Sequence, residues 1–245
     1  MGQTPRVRYA TLDLHGTDRV EQPADSFPPA GVENTKFYLD ASTRALEREA
    51  PQSAGSARYP AQALPGRVSF LATFDEETEL VGYPKAHLWV EAEGADDMDL
   101  FVLVQKLDAN GTPLQQFTVP RRSALLQDVT EQSASVLRYK GSHGRLRVST
   151  RHLDSHLSTD EIPAHTFDRV EKLAAGEVAE IQIDLSPVGL VLHPGEQLRL
   201  VISARNMLGA IMPGVPFHEP QNTGVHLVHT GGSRASYLQL PLKTA

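Results

Sequence analysis

Ten histidines and no cysteine bound the side-chain chemistry of this 245-residue sequence. Thiol nucleophiles and Cys-built metal sites drop out, which leaves serine, histidine and carboxylate. His152 and His156 stand four positions apart, a spacing that on a helix turns two imidazoles toward one metal. The residue after His152 is leucine, not the glutamate of such motifs, and residues 146–149 just before read as a strand. Loop histidines are therefore expected. His226 and His229 are three apart in a strand-like run, which places them on opposite faces. Glu93, Asp96, Asp97 and Asp99 offer the hard oxygen ligands that calcium takes, but they lack the ordered Asp/Asn-and-Gly spacing of a calcium loop, so a solvated turn is the simpler reading.

No Gly-x-Ser-x-Gly elbow lifts a serine between strand and helix, and Gly141 to Gly144 opens no helix that could cradle a phosphate. The sequence therefore predicts no catalytic residue, no cofactor and no metal on this chain.

The elements that would position such groups are short. Residues 86–91 alternate around Trp89, whose size favours the core. Residues 99–107 form a nearly continuous apolar run, and 179–185 and 198–204 alternate. Residues 7–12, 36–39, 68–74, 146–149 and 237–240 are further strand candidates. Asp108, Ala109, Asn110 and Gly111 follow the 99–107 run, and Asn-Gly supplies the positive φ of a tight hairpin. Helix signals are weak: Ser42 stands where it would cap 43–49, and 168–174 spans two turns at most. Residues 22–31 and 51–66, rich in Pro, Ser and Gly, read as surface loops. Short strands without a layer of long helices predict one all-β sandwich over residues 1–245.

A net charge of −7 argues against nucleic acid, which needs a basic face; Arg121 with Arg122 and Arg145 with Arg147 make no such stripe. The first twenty residues hold no apolar targeting core and no run is long enough to cross a membrane. A cytoplasmic setting is expected.

Several ordered fragments carry a resemblance. Asp75-Glu76-Glu77 precedes Leu80-Val81-Gly82, then Asp97 and Asp99 lead into Leu100-Phe101-Val102. Gly144-Arg145-Leu146-Arg147, Arg151-His152-Leu153-Asp154 and Pro163-Ala164-His165 follow. Leu173, Gly176 and Glu177 come before Leu185-Ser186-Pro187, His193-Pro194-Gly195, Leu198-Arg199-Leu200 and Ile202-Ser203. Asn222-Thr223-Gly224 and Ser236-Tyr237-Leu238-Gln239-Leu240-Pro241 close the series. In this order the chain after residue 67 resembles the C-terminal domain of X-Pro dipeptidyl-peptidases and of the cocaine-esterase and acyl-hydrolase branch of that serine hydrolase family.

The resemblance implies a jelly-roll, galactose-binding-like β-sandwich that packs on an α/β-hydrolase domain carrying the Ser, Asp and His triad, so the family's catalytic residues map onto nothing here. It implies a structural role, walling the substrate entrance or mediating homo-oligomerisation. A stand-alone carbohydrate- or small-ligand-binding module is the alternative, although one Trp and six Tyr are a thin supply of aromatic platforms. An apolar connection of Met207, Leu208, Ile211, Met212, Val215 and Phe217 is expected to be either a plug of the core or the partner-facing patch.

Overall fold

The computed structural model describes residues 4–117, 138–208, 220 and 222–243. Its strands are β1 (Val7–Thr11), β2 (Arg19–Ala24), β3 (Val32–Leu39), β4 (Leu46–Glu47), β5 (Gly55–Pro60), β6 (Arg67–Thr73), β7 (Thr78–Gly82), β8 (Lys85–Glu93) and β9 (Asp99–Leu107). They continue as β10 (Gln116–Phe117), β11 (Arg138–Tyr139), β12 (Ser142–Arg147), β13 (Ala179–Asp184), β14 (Val188–Leu192), β15 (Gln197–Ser203), β16 (Val225–Thr230) and β17 (Tyr237–Lys243).

Two antiparallel sheets form the sandwich. The smaller runs β12-β9-β15-β6, and the larger runs β14-β7-β17-β8-β16-β5, with β13 on β8, β3 on β17 and β4 on β3. Alternation explains the packing: Ala86, Leu88 and Val90 of β8 face inward, as do Leu100, Val102 and Val104 of β9 and Leu198, Leu200 and Ile202 of β15. Register stacks them, with Leu200 opposite both Phe70 and Val104. Each such Leu, Val, Ile or Phe contributes roughly 1.5–3 kcal/mol by leaving water. The all-β jelly-roll sandwich expected from the sequence is the observed architecture.

Particular elements differ. Trp89 lies on the outer face of β8, half-buried, because the fully buried residues of that strand are Ala86, Leu88 and Val90. Residues 43–49 form no helix. Asp40 Oδ1 accepts the Ser42 amide at 2.7 Å, Arg44 takes φ +63°, and Leu46 turns back to pair with Leu39 in the core. Residues 168–174 are irregular, drawn across the sandwich end by the Glu171 amide on Ser149 O (2.7 Å) and the Leu173 amide on Asp96 O (2.8 Å). The strand expected at 146–149 is the end of β12, closing in a 3₁₀ turn at Val148–Thr150. The loops expected at 22–31 and 51–66 contain the end of β2 and all of β5, where Ala57 and Tyr59 face inward.

After β9, Asp108 Oδ1 accepts the amides of Asn110 and Thr112, both at 2.8 Å, and Gly111 takes φ +82°. The turn forms as expected, but the returning arm meets β9 only near Pro113 and Leu114.

Candidate functional site

Neither of the two spaced histidine pairs converges on a common site. His152 and His156 lie in an irregular hairpin: the His156 amide donates to Asp154 Oδ1 (2.8 Å) and the His152 carbonyl accepts from Thr166 (3.0 Å). His226 faces the core with Nδ1 3.3 Å from the Tyr59 hydroxyl, while His229 faces outward to Glu91 at 3.0 Å, the opposite-face arrangement their spacing predicts. Burial drives the His226 pKa down to about 4. Ser186 Oγ approaches His143 Nδ1 at 3.3 Å, but that imidazole meets no carboxylate among the described residues.

The acidic residues weighed for calcium are each held by a cation. Glu93 pairs with Arg58, Asp96 and Asp97 with Lys172, and Asp99 with Nε and Nη2 of Arg147, each at 2.8 Å. Burial raises the Asp97 pKa, but the Ser149 hydroxyl and amide, the Met98 amide and Lys172 together outweigh it and hold the carboxyl below its ordinary value. Among the described residues no group of His, Asp and Glu is arranged to hold a metal.

A second charged knot pins the N-terminal segment. His15 Nδ1 lies 2.8 Å from Glu196, and His193 has Asp13 on one nitrogen at 2.9 Å and Glu77 on the other at 3.6 Å. With both its nitrogens facing carboxylates, His193 has none to offer a nucleophile.

The connection between β12 and β13 carries most of the exposed large apolar side chains among the described residues. Arms 152–154 and 164–166 pair through Leu153 and His165, and Thr159 closes the tip on Ile162 O at 2.9 Å. Lys85 Nζ (2.6 Å) and Gln239 Nε2 (3.1 Å) both donate to Asp160 O, fastening the tip to the outer face of the larger sheet. On this anchored frame Leu157, Phe167 and Val170 stand 71%, 70% and 67% exposed, and Ile162 39%. Phe167 also adopts φ +52°, a conformation costly for a residue with a Cβ.

The model of the X-Pro dipeptidyl-peptidase C-terminal non-catalytic domain matches residues 1–239. The chain belongs to this family. A solved CocE/NonD family hydrolase from Staphylococcus aureus is similar to it at 32% identity and TM-score 0.83, over 98% of this chain but 42% of that one. An aminopeptidase from a marine sediment Thaumarchaeota archaeon shares the fold at 15% identity and TM-score 0.62, over 98% and 41% of the two chains. No curated protein matches it.

As a member of the X-Pro dipeptidyl-peptidase C-terminal family, the chain uses its motif residues as fasteners. Arg151 donates to the carbonyls of Val148 and Glu171 (3.2 and 2.6 Å), and Asp154 caps the hairpin. Asn222 Oδ1 accepts the Asp99 amide (2.7 Å), and its Nδ2 donates to Asp99 O (2.9 Å) and Ala204 O (2.8 Å). The exposed residues 157, 162, 167 and 170 escaped the sequence reading, which weighed that stretch for metal and helix. Their signal was four apolar side chains among polar neighbours in a segment too irregular to bury them. Of the apolar connection singled out instead, Met207 and Leu208 are half-buried, and Ile211, Met212, Val215 and Phe217 lie outside the described residues.

No helix among the described residues is long and apolar enough to cross a membrane.

Proposed function

We propose that this chain is a non-catalytic sandwich that packs on an α/β-hydrolase domain through its β12–β13 connection and thereby walls the approach to that domain's active site. The observation that carries the reading is the coincidence of two facts. The chain spans 42% of a CocE/NonD family hydrolase, so a relative of this fold works beside a larger partner. Four of the six exposed large apolar side chains among the described residues fall on this one anchored connection. Burying each on a partner contributes roughly 1.5–3 kcal/mol, enough in sum to hold two domains together.

The carbohydrate-module alternative finds less support. The outer-face ring of Tyr237 is stacked on His87 at 4.6 Å and covered by Lys36 Nζ at 4.6 Å from its centroid, so its faces are occupied by the protein itself.

The test is Leu157→Asp with Phe167→Asp, assayed by sedimentation with an α/β-hydrolase domain encoded alongside this chain. The expected result is an unchanged melting temperature, loss of the complex, and an altered KM of the hydrolase domain relative to the intact assembly. Retained binding by the folded double variant, or no binding by the unmutated chain, overturns the reading.

A further inference from the structure

On the outer face of the smaller sheet lies a groove of about 280 Å³ with Phe101, Leu103, Met207 and Leu208 among its apolar lining and His143, Arg145 and Asn206 as its polar side chains. Antiparallel register makes its floor: Arg145 stands opposite Phe101, and His143 opposite Leu103. The other wall is an ordered turn, in which Asn206 Oδ1 accepts the Leu208 amide at 2.8 Å and Lys140 Nζ donates to Leu208 O.

Arg145 is the informative residue. Two positions further along the same strand, Arg147 is clamped on Asp99 through two 2.8 Å bonds. Arg145 is exposed and has no carboxylate partner among the described residues, on a protein whose net charge is −7. Its neighbour across the ladder is a phenyl ring where an acid would neutralise it. Beside it, the His143 Nδ1 lies 3.2 Å from Gly141 O, and with a proton there Nε2 faces no protein partner among the described residues.

We infer that this groove binds an apolar monocarboxylate, a medium-chain acyl or arylalkyl acid, with the carboxylate on Arg145 and the hydrocarbon body over Phe101 and against Met207 and Leu208. A guanidinium presents a planar pair of donors matched to a carboxylate's two oxygens. A mostly apolar trough with few convergent polar groups is the usual build of a small-ligand site. A polar-bodied anion gains nothing from this floor, and a neutral amphiphile leaves Arg145 unused.

The experiment is calorimetric and NMR titration of the chain with sodium octanoate, octanamide and sodium acetate. Octanoate is expected to bind saturably at one site, and octanamide about ten-fold or more weakly, the range of one charge-assisted hydrogen bond. Acetate should not bind measurably. Arg145→Gln, a change at an exposed residue with no carboxylate partner among the described residues, should reduce octanoate to the octanamide level while leaving the melting temperature unchanged, and Arg145→Lys should restore part of the difference. Phe101→Ala should weaken both ligands alike. Equal binding of octanoate and octanamide, indifference to Arg145→Gln, or no saturable binding overturns the inference.

Discussion

Lys106 Nζ lies 2.8 Å from Glu196 Oε2, with the two side chains only 3% and 5% exposed. The ammonium also donates to Val191 O at 2.7 Å, and Glu196 Oε2 accepts the His193 amide at 2.7 Å. Burial pushes the Glu196 carboxyl up, but the His193 amide, Lys106 and His15 together hold it below its ordinary value. This pair joins the end of β9 to the turn before β15, and through His15 it fastens the N-terminal segment.

Lys106→Met strands a buried carboxylate, which costs about 3–5 kcal/mol. Glu196→Gln added to it removes the stranded charge, so the double variant is expected to be more stable than Lys106→Met alone. Urea unfolding of the three proteins measures this, and a Lys106→Met variant as stable as the parent would contradict it.

Asn222 satisfies three backbone groups at the junction of β9 and β15, and leucine at that position leaves all three buried without partners. A loss of about 2–5 kcal/mol is expected. Gly224 beside it takes φ +72°, and a Cβ there would sit 2.2 Å from Glu93 O. Gly224→Ala should therefore unfold at distinctly lower denaturant than Gly94→Ala, where φ is also positive but the nearest atom is 3.9 Å away. Equal midpoints would remove the steric argument.

His226 makes stability pH-dependent. Its ordinary value is 6.5 and its folded value about 4, so above pH 6.5 both folded and unfolded imidazoles are neutral. Between 6.5 and about 4 the unfolded chain takes up a proton that the folded chain refuses, and stability falls as pH falls, by at most about 3 kcal/mol. His226→Gln should flatten this part of the profile. Thermal unfolding from pH 7.5 to 4.5 gives the comparison, and parallel profiles for the two proteins would rule the group out.

The carboxylates Glu93, Asp96, Asp97 and Asp99 already face Arg58, Lys172 and Arg147, and calcium would have to displace these cations. Added calcium or a chelator is expected to leave the melting temperature unchanged, since only a ligand that binds the folded state raises it. A concentration-dependent rise would reopen the site.

Alternation at 86–91, 179–185 and 198–204 and the apolar run at 99–107 were enough to read the sandwich from the sequence, because a strand's period of two records which face meets the core. Asn110-Gly111 announced its turn through local backbone preference alone, and the ordered motif fragments announced the family.

Tertiary structure decided the rest. Trp89 lies outside the core because Leu88 and Val90 take the inward phase of β8, and pattern alone does not say which phase a large ring will follow. The weak helical segments became a turn and an extended crossing, since the Asp40 cap and the long-range bonds of Glu171 and Leu173 outweigh a marginal propensity. Arg145 and Arg147 look alike in the sequence. Only the fold places Asp99 against one and Phe101 against the other, because cross-strand partners are set by the register of residues some forty positions apart.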